Sequence, residues 1–260
     1  MNLKPSENIK IYGIENFFTE ITNLYNQKKM PNKILLSGKK GSGKSTLAYH
    51  IINYALSESE EFNYNLENFS INRENRSFKL LQNNSHPNFY LIDLLTEKKS
   101  IDISQIRQMI SYTNKSTFNN MPRFILIDNV ENLNKNSVNA LLKVTEEPNE
   151  NIFFILISNN EKNILPTLKS RCLSFKINLT FKESLNISNL ILGKNVLEFV
   201  NYDLISYYNT PGEIIQLFNF SEEKSINLKN YTISSFINLI IENNYYKKNK
   251  AVKILLINLI

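Results

Sequence analysis

Apolar residues fall in five short runs, at 34–36, 89–92, 124–127, 152–157 and 173–177. Each is too brief for a helix and too continuous for a strand with one wet face. Such runs mark strands buried on both sides, and the stretches between them carry apolar residues at helical spacing. The pattern predicts a parallel sheet covered by helices, the α/β class. Residues 45–56 place Leu47, Ala48, Ile51, Ile52 and Ala55 on one face. A helix over about 104–113 carries Ile106, Met109 and Ile110, and another carries Val138, Leu141, Leu142 and Thr145 before Glu147-Pro148 ends it. Residues 163–169 predict a short helix with Pro166 near its start. Between 57 and 87 the pattern dissolves into Glu, Asn and Ser with isolated Phe and Leu, which suggests an insertion on the sheet's rim. Beyond Ile177 strand signals stop, and helical stretches follow at about 181–192, 196–207, 212–218 and 233–260. The expected domains are 1–178, a small helical domain at 179–220, and a partial or truncated helical domain at 221–260.

Composition changes this picture little. Hydrophobic residues at 42% and charged residues at 21% are ordinary for a globular chain. The net charge of +6 comes from scattered basic residues and fits a nucleic-acid partner no better than it fits plain solubility. The single cysteine, Cys172, excludes an internal disulfide framework and a multi-cysteine zinc site, and it suits a reducing cytosol. Met1-Asn2-Leu3-Lys4-Pro5 lacks the apolar core of a signal peptide, and no apolar run approaches the roughly 18 residues of a membrane span. The expectation is a soluble, cytoplasmic protein with no membrane partner.

The densest chemistry follows the first run. Gly38, Gly41 and Gly43 precede Lys44, Ser45 and Thr46 in the spacing G-x-x-x-x-G-K-[ST]. Glycines let backbone N–H groups curl around an anion, Lys44 reaches the outer phosphates, and Ser45 is placed to ligate magnesium at a helix N-terminus. The plainer alternative is a glycine turn between strand and helix. The third run ends in Asp128, the carboxylate that such a loop needs beside it to hold magnesium. The fourth run ends in Ser158-Asn159-Asn160, polar groups where a γ-phosphate or attacking water would be sensed, or simply a turn. Ser170-Arg171-Cys172 puts an arginine on a helix-to-strand corner.

Residues 122–172 strongly resemble the ATPase core of bacterial DNA polymerase III clamp-loader subunits, the delta prime type above all. The likeness rests on Asn139-Ala140-Leu141-Leu142-Lys143 with Glu146-Glu147-Pro148, on Ser170-Arg171-Cys172, on Ile106-Arg107 and on Ser85-His86-Pro87, and it extends over about 11–212. It implies an AAA+ P-loop domain with a parallel sheet, followed by a small helical lid and a helical collar. It further implies a ring of motor and delta-type loader subunits that places the sliding clamp on primed DNA. By the same likeness Tyr12 and Gly13 lie near the adenine, Lys44 and Ser45 at phosphate and magnesium, Asp128 at Walker B, and Ser158 or Asn159 at sensor 1. Arg171 would be an arginine finger acting in trans on a neighbour's ATP.

Two positions depart from an active ATPase. Motor subunits follow the Walker B aspartate with a glutamate that polarises the attacking water, and here Asn129 stands in that place; an amide cannot take the proton. Glu131 reads as a surface or helix-start residue, not a substitute base. Asn209-Thr210-Pro211-Gly212-Glu213 sets an acidic residue near the expected sensor 2 arginine. The expected role is therefore a stator and finger donor, binding ATP or ADP with Mg2+ while hydrolysing weakly or not at all. The alternatives are a catalytically active loader subunit and a freestanding P-loop nucleotide kinase. Many family members carry a cysteine-ligated zinc module where this chain has residues 57–87, and without cysteines zinc is not expected there.

Overall fold

The computed structural model describes residues 4–95, 98–115, 121–146, 151–160, 162–248, 250–257 and 259. All five apolar runs form strands: β1 (Lys33–Gly38), β2 (Phe89–Ile92), β3 (Arg123–Ile127), β4 (Ile152–Ser158) and β5 (Leu173–Ile177). They make one parallel sheet in the order β2-β3-β4-β1-β5. Every residue of β3 is buried, which is why its sequence is continuous rather than alternating. The register pairs Leu36 with Ile157 and Ile127 with Leu156, so the C-terminal ends of β1, β3 and β4 lie nearly level. That edge is where open α/β sheets hold their ligands.

The helices in chain order are α1 (Glu15–Asn26), α2 (Lys44–Leu56), α3 (Arg76–Gln82), α4 (Ile103–Thr113), α5 (Lys135–Glu146), α6 (Pro166–Lys169), α7 (Phe181–Leu192), α8 (Tyr202–Ile205), α9 (Pro211–Lys224), α10 (Ile233–Glu242), α11 (Tyr245–Lys248) and α12 (Lys250–Ile257). Asn2–Lys39 together with Gly43–Ile177 form one compact unit; Lys40–Ser42 and Asn178–Ile260 belong to a second.

In the first unit, Ile106 and Met109 of α4 and Leu141 of α5 pack with Ile125, Ile127, Phe154 and Leu156 of the sheet. The expected stop after α5, Glu147-Pro148, lies outside the described residues. Helix α1 is not foreseen by the sequence reading, although Phe18 and Ile21 are fully buried one turn apart. Segment 57–87 also buries apolar side chains. Tyr64 stacks on Phe18 at 4.8 Å, and Ile71, Phe78 and Leu81 are buried. The Asn75 side chain caps α3 by accepting from the Phe78 N–H at 2.6 Å, and Glu60 accepts from the N–H groups of Arg76 and Ser77. Tyr64, Ile71, Phe78 and Leu81 anchor this polar segment, while Phe62 and Leu66 stay exposed.

In the second unit the expected helix over 196–207 is instead a 3₁₀ turn at Val196–Glu198 followed by α8. Asn195 and Asn201 each accept a hydrogen bond from the N–H two residues on, at 3.2 and 3.0 Å, so local turns outcompete a continuous helix. The stretch from 233 is likewise broken at Asn244, which sits at φ 51°. A single apolar core joins Val196, Leu204, Ile205, Tyr208, Leu217 and Phe218 to Phe236, Ile240, Val252 and Leu255. The Tyr208 hydroxyl donates to the Leu255 carbonyl at 3.0 Å inside it. Residues on both sides of position 220 thus share one core. Within this unit Gly212 donates its N–H to the Gly41 carbonyl at 2.9 Å, and a Cβ on Gly212 would lie 2.7 Å from the Gly41 Cα.

Candidate nucleotide-binding site

The loop after β1 bends because glycine permits it. Gly41 and Gly43 hold φ values of +82° and +88°, which other residues rarely adopt. Gly43 is also the N-cap of α2 and brings no side chain, so the first-turn N–H groups of that helix meet no capping oxygen from it. This is the geometry that receives an anion. Lys44 opens the helix at 3% exposure and donates from Nζ to the Lys39 carbonyl at 2.6 Å, which folds its ammonium back over the loop.

Ser45 donates from Oγ to Asp128 Oδ2 at 2.7 Å, across 83 residues of sequence. The sheet order places β3 two strands from β1, and this pair closes the gap. Burial raises the Asp128 carboxyl above its ordinary value; the Ser45 hydrogen bond opposes that, Asp93 adds to it, and the Asn129 N–H and Lys44 counter it. A half-dehydrated carboxylate beside a hydroxyl suits magnesium, which binds through one or two such oxygens plus waters and phosphate. Among the described residues no group of three or more His, Cys, Asp or Glu is placed to hold a metal by itself. The fit is therefore to an ion shared with phosphates.

The water side of the site is built differently. Asn129 sits at φ 57°, ψ 44°, its Nδ2 donating to Asp93 Oδ1 at 2.7 Å and its Oδ1 accepting from Asn159 Nδ2 at 2.8 Å. Both ends of its amide are occupied by protein. Asp93 follows β2 and is absent from the sequence reading, although it repeats the signature of Asp128, an apolar run closed by a carboxylate. Glu131 corrects the expectation of a surface residue: it does lie in a short 3₁₀ turn, but it is 8% exposed and its Oε1 accepts from the Asn159 N–H at 2.9 Å, while Oε2 is buried with no hydrogen-bond partner. It holds the end of β4 in place.

The remaining candidates divide. Ser158 is fully buried and accepts from the Asn160 N–H at 3.2 Å, which leaves Asn159, just past the end of β4, as the more open polar group. Thr46 accepts from Asn8 Nδ2 at 3.1 Å, and the Asn8 carbonyl lies 3.0 Å from Nε2 of buried His50. The chain leading to Tyr12 and Gly13 is thereby fastened to α2. His50 Nδ1 is 2.8 Å from the Tyr64 hydroxyl, and burial lowers its pKa to about 4, so it is neutral. Gly13 turns at φ +73° with its N–H on Glu15 Oε1, and the Lys10 ammonium lies over the Tyr12 ring. Arg171 is exposed on the turn between α6 and the edge strand β5, donating from Nη1 to the Thr167 carbonyl at 2.9 Å. Glu213 turns its carboxylate onto the N–H groups of Asn209 and Thr210 and so completes a capping box on α9.

Among the described residues no helix is long and apolar enough to cross a membrane. Residues 13–180 match the family model described as DNA polymerase III, delta subunit. DNA polymerase III subunit gamma of Buchnera aphidicola subsp. Schizaphis graminum is 32% identical over 239 residues, 88% of this chain and 63% of that protein. The delta' subunit of the same organism is 33% identical over 171 residues, 65% of this chain and 50% of its own length. The delta' subunit of Pseudomonas aeruginosa is 30% identical over 138 residues, covering 53% and 40%. The chain thus spans less than two-thirds of each of these relatives. The matched stretch contains the sheet, the phosphate loop, Asp128 and Arg171, and by it the chain belongs to the DNA polymerase III delta-subunit family.

Proposed function

We propose that the chain is the stator of a clamp loader, a cytoplasmic subunit that binds ATP or ADP with Mg2+, hydrolyses it weakly or not at all, and lends Arg171 to a neighbouring subunit's ATP. Its partners would be motor and delta-type loader subunits and, through the assembled ring, the sliding clamp and primed DNA. The observation that carries this reading is Asn129: the position of the expected base is an amide, and both of its ends are hydrogen-bonded to protein.

Nucleotide binding is supported by the glycine conformations, by buried Lys44 and by the Ser45–Asp128 contact. Phosphates would rest on the loop N–H groups and Lys44, with Thr46 behind them and Tyr12 and Gly13 toward the base. Ser45 and Asp128 would hold a magnesium ion, which would supply charge neutralisation at the phosphates. For hydrolysis a water must lose a proton as it attacks, and the amide of Asn129 has no capacity to accept it. Arg171 is exposed at the end of the sheet, as a group directed at another molecule requires. A fixed guanidinium there would offset charge developing on a neighbour's γ-phosphate.

The test is Arg171→Ala in the reconstituted loader. The variant chain should melt with the wild type, while single-turnover hydrolysis at the adjoining site falls by on the order of a thousandfold. Unchanged hydrolysis there overturns the finger.

A further inference from the structure

The chain that leads to Tyr12 and Gly13 lies outside the five-stranded sheet and is gripped by segment 57–87. Residues 64–71 turn back on themselves. Asn65 and Ser70 exchange backbone hydrogen bonds at 2.9 and 3.1 Å, and Asn65 Oδ1 accepts from the Asn68 N–H at 3.0 Å to close the tip. The returning arm then pairs antiparallel with residues 9–11. Ile71 donates its N–H to the Ile9 carbonyl at 2.8 Å and Ile11 donates to the Phe69 carbonyl at 3.3 Å, with Ser70 opposite Lys10 between them.

This hairpin is itself fastened to the helices. Tyr64 stacks on Phe18 of α1, and Phe69 meets the same ring edge-on at 5.9 Å. The Tyr64 hydroxyl also reaches His50 of α2. A carbonyl can only accept, so the Asn8 contact puts the His50 proton on Nε2 and leaves Nδ1 to accept from Tyr64. Burial raises the Tyr64 pKa, so that hydroxyl keeps its proton. Asn8 in turn donates to Thr46, and at the far end Ile14 Cδ1 lies 3.1 Å from where a Cβ on Gly43 would stand. Residues 8–14 thus touch the phosphate loop at both ends, and the hairpin supports them just before Tyr12.

We propose that hairpin 64–71 is the positioning element for the base side of the nucleotide site: by pairing with residues 9–11 it presents Tyr12 and Gly13 to the base, while Lys44, Ser45 and Asp128 hold the phosphates independently of it. The proposal rests on the nucleotide reading of the loop. It gives the polar segment 57–87 a task in recognising the ligand, and it makes Ile71, through its N–H, a positioning residue that need not touch that ligand.

The experiment uses the full chain with Ile71→Pro, which removes the N–H given to Ile9, and the same variant carrying Lys10→Cys, Ser70→Cys and Cys172→Ser. Lys10 and Ser70 are a non-hydrogen-bonded antiparallel pair, a kind whose Cα atoms lie about 4.5 Å apart, within the roughly 4.4–6.8 Å that a disulfide spans. Oxidation therefore restores the pairing covalently. Mg-ATP binding is read by calorimetry, binding of tripolyphosphate, which has no base, by competition, and hydrogen exchange is followed at 9–13, β1 and α2. Ile71→Pro should weaken ATP about tenfold, as when residues 9–13 hold the binding position about a tenth of the time, and leave tripolyphosphate within about twofold. Exchange should quicken at 9–13 while β1 and α2 stay protected. Oxidation of the cysteine variant should return most of the ATP affinity, and reduction should remove it again. Equal losses for ATP and tripolyphosphate, exchange that spreads to β1 and α2, or an oxidised form that binds no better than the reduced one each overturn the positioning role. A wild-type chain that binds neither ligand overturns the nucleotide reading instead, and quicker exchange at 9–13 in Ile71→Pro would then leave the pairing itself standing.

Discussion

Asp128 and Asn129 are consecutive, yet they serve opposite ends of one site. Asp128 faces the phosphate loop, where its oxygen takes the Ser45 hydroxyl and its burial keeps it poised for a cation. Asn129 turns in a left-handed conformation toward β2 and β4 and is consumed by Asp93 and Asn159. One end is the proposed seat of magnesium and phosphate; the other is satisfied by Asp93 and Asn159. On the proposed reading, phosphate binding and water activation rest on different side chains, so the first could persist without the second.

Lys44→Ala should break the binding end most severely. Removing a buried, charge-assisted donor is expected to weaken ATP and ADP affinity by on the order of a hundredfold, measured by calorimetry, with the fold intact by circular dichroism. Asp128→Asn comes next and separates metal from phosphate. Affinity in Mg2+ should fall about tenfold, while affinity in EDTA barely changes. Because burial disfavours the ionised carboxyl, the nucleotide-free variant should melt no lower than the wild type. A drop in its melting point would mean that the Ser45–Asp128 bond outweighs the burial.

Asn129→Ala should leave affinity within about threefold of the wild type, since neither end of the amide faces the loop, yet lower the melting point by about 3 °C through two lost hydrogen bonds. A large loss of affinity would show that the two ends are not separable.

His50 has the smallest effect on nucleotide at neutral pH and the clearest effect on acid stability. Folded His50 titrates near 4 against an ordinary 6.5, so the unfolded chain takes up a proton first as pH falls. Its contribution is whole above about 6.5 and is lost on the way down to about 4, the loss reaching about 2 kcal/mol at pH 5. His86, also lowered by burial, acts in the same direction. His50→Gln should melt lower at pH 7 but show a shallower fall between pH 7 and 5. Parallel pH curves would remove His50 from the account.

The parallel sheet was legible because buried strands write themselves as continuous apolar runs, and all five were found. The binding end was legible for a similar reason: the glycines, Lys44 and Ser45 are contiguous, and Asp128 ends a strand. The water end was not. Asp93, Asn129 and Asn159 come from three strands, and nothing in the spacing between positions 93, 129 and 159 says that their side chains meet. Glu131 was misplaced because a glutamate in a polar stretch reads as solvated, whereas tertiary structure buries it to hold the Asn159 N–H. In segment 57–87 and helix α1, Tyr64 and Phe18 explain each other only once they stack.

The central claim is binding without turnover, and one sample of purified chain tests it: bound ATP and released phosphate measured together in Mg2+, with Lys44→Ala alongside. The expected result is saturable binding, weakened on the order of a hundredfold in Lys44→Ala, with phosphate release far below the ordinary enzyme rate of about 10 per second. Turnover near that rate, lost in Lys44→Ala, would contradict it.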